Sequence, residues 1–85
     1  MELRLTASFK REYSKITRGN VSLKKKVFKQ LRLLLENPRH PSLRLHKLQG
    51  EEWWSISIDM GIRVLVSFET DCIVVFHIGK HEDVY

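Results

Sequence analysis

The stretch that decides the fold is WWSISIDMGIRVLVSFETDCIVVFHIGK, residues 53–80. Apolar and other side chains alternate with a period of two along residues 54–58 and again along residues 62–68. This period places successive side chains on opposite faces of a β-strand. Residues 72–78 are apolar on both faces except at His77, which is typical of a strand with neighbours on both sides. Polar turns separate the three runs, so the sequence predicts an antiparallel β-meander.

Two helices are predicted before the meander. The first follows a short alternating strand at residues 2–5, begins at a cap formed by Thr6 or Ser8, and ends near Thr17. The second ends before Pro38, because proline cannot continue a helix. We expect its apolar stripe to face the core and to consist of Leu23, Val27, Leu31 and Leu34, widened by Phe28 and Leu35.

These elements predict one domain of the α+β class over residues 1–85. A short N-terminal strand leads into a two-helix hairpin, the meander follows, and both helices pack on one face of the sheet. No segment is long and apolar enough for a membrane-spanning helix, so we expect no membrane association. With Cys72 as the one cysteine, no intramolecular disulfide can form, and a cytoplasmic location is expected.

The chain is basic, with 15 Lys and Arg against 10 Asp and Glu and a formal net charge of +5. This balance favours a polyanionic partner, which can be nucleic acid, an acidic protein or an anionic membrane surface. The sequence contains no Cys-x-x-Cys or His-Glu-x-x-His pattern and no phosphate-binding glycine loop. We therefore expect neither a metal nor a cofactor.

Metal-independent RNA cleavage is the chemistry that the side chains suit best. It needs a base for the ribose 2′-hydroxyl, a cation for the phosphate and an acid for the leaving oxygen. His81 and His46 supply imidazoles, which can act as acids or bases, although the alternative for His46 is a histidine on a surface loop. Arg63 lies opposite the apolar face of its strand and can bind a phosphate if that face is open; the alternative is an ordinary arginine on the surface of the sheet. Asp59 lies in a turn, where aspartate is also favoured for backbone reasons.

Five segments together resemble a known family: HPSL at residues 40–43, LHKLQG at 45–50, WSISI at 54–58, IRVL at 62–65 and IGKHEDVY at 78–85. In order and spacing they resemble the RelE/ParE toxin superfamily, and most closely its RelE/StbE, YafQ-like branch. The resemblance implies a RelE-like fold and the toxin of a type II toxin–antitoxin pair. Such a toxin is an endoribonuclease that cleaves mRNA in the A site of the small ribosomal subunit, and a cognate antitoxin neutralises it in a hetero-oligomer.

The resemblance also implies roles for individual residues. His81 matches the C-terminal catalytic histidine of the YafQ-like branch, and His46 matches a histidine used in acid–base chemistry. Arg63 matches an arginine that stabilises the scissile phosphate, and Tyr85 matches a terminal aromatic residue that orients or stacks a base. Asp59 falls where the branch has a further histidine, which leaves its role open.

The chain departs from RelE itself at two positions of the first meander strand. RelE carries catalytic lysines where this chain has Ser55 and Ser57. A lysine-based scheme is therefore closed to this chain, and the resemblance leaves the scheme based on His81 and His46.

Basic residues outside the proposed catalytic set are expected to bind RNA without reading its sequence. Lys25, Lys29 and Arg32 form a stripe on the second helix, for which the alternative is a solvated helix face. Lys47 adjoins His46 and Lys80 adjoins His81, and we assign both lysines to nucleic-acid binding as well.

Two other functions remain open at the level of sequence. ParE-like members of the superfamily share the fold but bind and poison DNA gyrase without cleaving RNA, and the histidine-containing ending argues against that reading. A toxin fold that has lost its activity is the third reading. In each case an antitoxin is expected as partner, and Trp53, which faces away from Trp54 and Ile56, is a candidate anchor for it.

Overall fold

The structure, a computed structural model, describes residues 1–81. The elements along this part of the chain are β1 (Glu2–Leu5), α1 (Ala7–Ile16), α2 (Val21–Glu36), a 3₁₀ turn (Pro41–Leu43), β2 (His46–Lys47), β3 (Trp54–Ser57), β4 (Ile62–Phe68) and β5 (Cys72–Lys80). The predicted order of strand, two helices and meander is confirmed. The 3₁₀ turn and β2 were not predicted.

The five strands form one sheet in the order β1-β5-β4-β3-β2. Strands β2 to β5 pair antiparallel with their sequence neighbours, and β1 pairs parallel with β5. Strand β5 therefore has a partner on each side, as its two-sided apolar pattern predicted. A register shift between Leu65 and Val66 locally disrupts the β4–β5 ladder.

Both helices cover the same face of the sheet. Their buried side chains form one hydrophobic core with the strand residues that point towards them: Phe9, Leu23, Val27, Leu31, Leu34, Leu43, Ile56, Ile58, Val64, Val66, Ile73, Val75 and Ile78. The predicted helix-on-sheet arrangement of the α+β class is thus confirmed.

The predicted width of the apolar stripe on α2 is wrong at Phe28 and Leu35. These side chains are 69% and 38% exposed. At 3.6 residues per turn, Phe28 stands about 100° around the helix from Val27, too far to reach the sheet. Gln30, on the other flank, is buried instead, and its side-chain amide nitrogen donates to the backbone carbonyls of Ser42 and Ser57.

Local capping explains where the helices begin. The Thr6 hydroxyl accepts a hydrogen bond from the Phe9 amide at 3.1 Å, so Thr6 rather than Ser8 caps α1. Asn20 caps α2 in the same way, through the amide of Leu23. Gly19 takes a positive φ of 68° in the turn between the helices, a conformation that glycine adopts without steric cost.

Helix α1 takes over the edge of β5 where β1 ends, since β1 pairs only along residues 72–75. The Ser8 hydroxyl donates to the Phe76 carbonyl at 3.2 Å, and the Glu12 carboxylate accepts from the Ile78 amide at 3.2 Å. The second oxygen of Glu12 lies 2.8 Å from Nδ1 of His77. Side chains of the helix thus replace a missing strand and leave less of the edge open to pairing with another chain.

None of the helices within residues 1–81 is both long and apolar enough to span a bilayer.

Candidate functional site

The site is built on the face of the sheet that the helices leave uncovered. Arg63 in β4 pairs with Ser57 in β3 and with Gly79 in β5. Its neighbour Val64 points into the core, so strand alternation directs Arg63 to the opposite face. The side chain is only 8% exposed, however. It is therefore not the open sheet-surface arginine that the alternation alone suggested.

Hydrogen bonds to Ser55 and to the backbone of Arg44 hold the Arg63 guanidinium. Its Nε donates to the hydroxyl of Ser55 at 2.6 Å, and its Nη2 donates to the backbone carbonyl of Arg44 at 3.0 Å. Arg44 has a positive φ of 47° directly after the 3₁₀ turn, and one residue separates this left-handed backbone from β2. Because the guanidinium is planar and rigid, two anchors fix its orientation.

His46 lies beside this arginine. It pairs with Ser55 across β2 and β3, so its side chain belongs to the same face of the sheet. Nδ1 lies 3.2 Å from the Arg44 carbonyl and 3.4 Å from Nη2 of Arg63. The carbonyl can only accept and the guanidinium can only donate, so the tautomer of His46 decides which of the two hydrogen bonds Nδ1 makes. In the tautomer whose Nδ1 proton is bonded to the Arg44 carbonyl, Nε2 carries the lone pair and is the atom able to accept a proton.

Ser55 and Ser57, the two departures from RelE, each make a hydrogen bond that stabilises the site. Ser55 is fully buried and accepts the hydrogen bond from Arg63. The Ser57 hydroxyl donates to the backbone carbonyl of Asp59 at 3.0 Å. A lysine at position 55 would bury a second cation against the guanidinium, which is costly. The departure at Ser55 is therefore consistent with the way Arg63 is held.

Asp59 organises the turn between β3 and β4. One carboxylate oxygen accepts hydrogen bonds from the amides of Gly61 and Ile62, each at 3.0 Å. This is the backbone role for which aspartate is favoured in turns. The structure thus gives Asp59 a conformational function, and its proposed part in catalysis stays a prediction.

His81 lies at the opposite end of the site from His46. Its backbone amide donates to the Gly61 carbonyl at 2.9 Å, which ties the chain after β5 to the β3–β4 turn. His81 follows Gly79, the cross-strand partner of Arg63, by two residues, and its side chain is exposed. Tyr85, the predicted base-stacking residue, lies outside the described residues.

The predicted RNA-binding residues do not form one surface. Lys25, Lys29 and Arg32 are exposed on α2, on the helix-covered side of the sheet, and Nε of Arg32 lies 3.4 Å from Glu36. Lys47 pairs with Trp54 and Lys80 pairs with Ile62, so both exposed lysines alternate away from the face that carries His46 and Arg63. Among the predicted site residues within residues 1–81, His46 and Arg63 are in direct contact.

Sequence reasoning missed the two groups that position Arg63. Ser55 carried no signal in the sequence, because its pairing with His46 depends on strand β2, which was not predicted. The Arg44 carbonyl carried none, since any residue offers a carbonyl. Within residues 1–81 no three His, Cys, Asp or Glu side chains lie close enough together to hold a metal ion.

Comparison with known structures shows the same fold in bacterial toxins. YafQ from Escherichia coli strain BL21(DE3) superposes with a TM-score of 0.81 at 13% identity, covering 98% of this chain and 96% of that one. A metal-bound toxin from Helicobacter pylori gives 0.82 at 14%, covering 100% and 99%. A YoeB/ParE toxin from Agrobacterium tumefaciens gives 0.78 at 22%, covering 95% and 99%. YafQ in complex with DinJ gives 0.79 at 13%, covering 98% and 96%.

Fold and sequence together define a toxin of a type II toxin–antitoxin system in the RelE/ParE superfamily. Residues 3–85 match the family model described as the ParE toxin of the type II toxin–antitoxin system parDE, and the chain belongs to this family. The comparison with curated protein sequences yields no match.

Proposed function

We propose that this toxin is a metal-independent endoribonuclease that cleaves mRNA on the ribosome. The observation that carries the proposal is the guanidinium of Arg63, held between the Ser55 hydroxyl and the Arg44 carbonyl with Nδ1 of His46 at 3.4 Å. A cation of fixed orientation beside an imidazole is the pair of groups that phosphodiester cleavage needs.

The reaction is an internal displacement within the RNA. The ribose 2′-oxygen attacks the adjacent phosphorus while a base removes its proton, and the bond from phosphorus to the 5′-oxygen breaks as an acid protonates that oxygen. The products are a 2′,3′-cyclic phosphate and a 5′-hydroxyl. Arg63 stabilises the charge that develops on the phosphate oxygens.

His46 and His81 divide the two proton transfers. With its Nδ1 proton bonded to the Arg44 carbonyl, His46 has the Nε2 lone pair left to accept a proton, which suits the base. His81, exposed at the other end of the site, then suits the acid that protonates the leaving oxygen. Tyr85 stacks a base, as the resemblance implies, and Asp59 contributes by holding the turn to which His81 is bonded.

The partners of this toxin follow from the same proposal. A cognate antitoxin binds it in a hetero-oligomer, as DinJ binds YafQ in the E. coli complex. The formal net charge of +5 suits both an acidic antitoxin and ribosomal RNA. Its place of action is the cytoplasm, where translating ribosomes carry mRNA.

The test is cleavage of an mRNA on purified ribosomes, with products mapped by primer extension. We expect cuts within the codon in the A site. A matched mRNA with one 2′-deoxynucleotide at the mapped position should be cut elsewhere or not at all, because the attacking hydroxyl is missing. Cleavage that persists at the deoxy position would overturn this mechanism.

A second function rests on the family model, whose description is that of ParE. ParE-like members poison DNA gyrase and need no imidazole. Under this reading the chain inhibits gyrase-dependent supercoiling, and mRNA on ribosomes stays intact. The same protein preparation tested in both assays separates the two functions.

A further inference from the structure

A basic cleft lies next to the proposed catalytic site. It has a volume of about 420 Å³ and opens between α2, the 3₁₀ turn and the β3–β4 turn. Lys26, Lys29 and Arg44 line it with positive charge, and Asp59 is the carboxylate among its lining residues. None of the ion pairs within residues 1–81 includes any of the three cations.

The cleft has a fixed polar floor. Gln30 is 7% exposed, and its amide nitrogen bonds both the Ser42 carbonyl at 3.2 Å and the Ser57 carbonyl at 2.9 Å. These bonds tie α2 to the 3₁₀ turn and to β3. One oxygen of Asp59 is occupied by two backbone amides, so the cleft keeps an excess of positive charge.

Two walls of the cleft are joined to the catalytic groups. The backbone carbonyl of Arg44 accepts from Arg63, and the turn that Asp59 organises accepts the backbone amide of His81 through Gly61. Strand β2 pairs only with Trp54 and Ser55, so no strand of the described chain covers the edge of β3 beyond them. A polymer bound at Arg63 can therefore continue around this edge into the cleft.

We propose that the cleft binds the phosphate backbone of single-stranded RNA next to the nucleotides that are cleaved, through Lys26, Lys29 and Arg44. This proposal rests on the proposed function, whose substrate it extends. Arg44 lines the cleft and its backbone carbonyl accepts from Arg63, so the two sites adjoin. Protein partners concentrate their binding energy in aromatic anchors above all, and the cleft offers Ile58 and Met60 but no aromatic residue beside its three cations.

The test compares two doubly substituted proteins that lose the same charge. Lys26→Gln with Lys29→Gln empties the cleft of two cations, and Lys10→Gln with Lys24→Gln removes two exposed lysines that do not line it. Arg44 is left unchanged because its backbone positions Arg63. Binding to a labelled single-stranded RNA with 2′-deoxyribose at the cleavage position is measured by fluorescence anisotropy over a range of salt concentrations.

We expect the cleft variant to bind roughly ten- to thirtyfold more weakly at about 0.1 M salt, with a salt slope that is lower by about 1.4, since each neutralised phosphate contributes about 0.7 for single strands. The control variant should bind like the original protein. A trinucleotide too short to reach the cleft should bind all three proteins equally.

Equal losses in both variants would overturn the proposal, because the effect would then be that of net charge alone. Loss of antitoxin affinity in the cleft variant, with RNA affinity unchanged, would assign the cleft to an acidic protein instead. The RNA in this assay cannot be cut at the site, so the result is independent of catalysis. If the cleft variant loses RNA affinity but the original protein does not cleave mRNA on ribosomes, the proposed nuclease function is refuted and the RNA-binding cleft is retained. If the protein cleaves mRNA and the cleft variant binds RNA normally, the nuclease function is retained and the proposed cleft is refuted.

Discussion

Both faces of the sheet contain buried side chains, but their chemistry differs. On the helix-covered face Val64 and Val66 are fully buried among apolar side chains. On the other face Ser55 is also fully buried and Arg63 nearly so, yet both are polar and bonded to each other. Burying apolar surface stabilises a fold, whereas burying a charge costs free energy unless hydrogen bonds compensate. The second face is therefore organised for the geometry of its charged groups, and substitutions on the two faces should change different measurements.

The largest effect is expected at the exposed end of the polar face. His81→Ala should reduce single-turnover mRNA cleavage by roughly a hundredfold to ten-thousandfold, the range typical of lost general acid–base catalysis. The side chain is exposed, so the melting temperature and ribosome affinity should barely change. The measurement is primer extension over time with ribosome-bound mRNA. A protein that stays fully toxic while gyrase-dependent DNA breaks appear would replace the nuclease with the ParE-like function.

The matching substitution on the covered face is Leu34→Ala. Leu34 is fully buried on α2, so its truncation removes apolar contacts and leaves a cavity. We expect a loss of about 2–5 kcal/mol in the free energy of unfolding, measured by denaturant titration. Cleavage per folded molecule should stay normal, in contrast to His81→Ala. If Leu34→Ala lowers cleavage but not the free energy of unfolding, the assignment of stability to one face and catalysis to the other is wrong.

Arg63→Lys tests whether the orientation of the cation matters beyond its charge. Lysine keeps the charge but cannot hold the Ser55 hydroxyl and the Arg44 carbonyl together in one plane. Cleavage should fall by roughly a hundredfold to a thousandfold, as for the loss of one positioned transition-state donor. Ser55→Ala removes one anchor and keeps the arginine, so its cleavage rate should lie between those of Arg63→Lys and the original protein. Near-normal cleavage by Arg63→Lys would mean that the orientation of the guanidinium does not matter for catalysis and that its hydrogen bonds serve only the structure.

The fold was largely predictable because its elements are periodic. The period of two in residues 54–68 gave β3 and β4, and Thr6 and Pro38 marked helix ends. Strand β2 has two residues, too few to show a period, and was missed. Phe28 was misplaced because a list of apolar residues does not fix the width of a helix face.

The candidate site was only partly predictable. Alternation assigned Arg63 to its face but could not show what holds it, since the Arg44 carbonyl depends on a left-handed backbone that no residue type signalled. The pairing of His46 with Ser55 needed the unpredicted strand β2. Lys26 and Gln30 were not predicted as site residues, because the cleft that they line forms only when α2 lies beside the 3₁₀ turn.

Trp53 extends the comparison to the partner protein. Its ring is half-buried rather than fully exposed, and it meets the ring of Phe76 edge to face with centroids 5.6 Å apart. We still expect Trp53→Ala to weaken antitoxin binding by about 1–2 kcal/mol, since tryptophan is a frequent interface anchor. Isothermal calorimetry on the folded variant measures this. Unchanged affinity would leave Trp53 with only its packing against Phe76.

The smallest effect is expected where α1 replaces a strand at the edge of β5. Glu12→Ala removes the acceptor of the Ile78 amide and the carboxylate beside His77. We expect a loss of about 1 kcal/mol in the free energy of unfolding, the usual contribution of one hydrogen bond. Glu12→Gln keeps an acceptor for the amide and loses only the charge, which is part-exposed and worth little. Denaturant titration should therefore give Glu12→Gln a free energy of unfolding close to that of the original protein, and Glu12→Ala a lower one. Equal losses would mean that the ion pair with His77, and not the bond to the strand edge, joins α1 to β5.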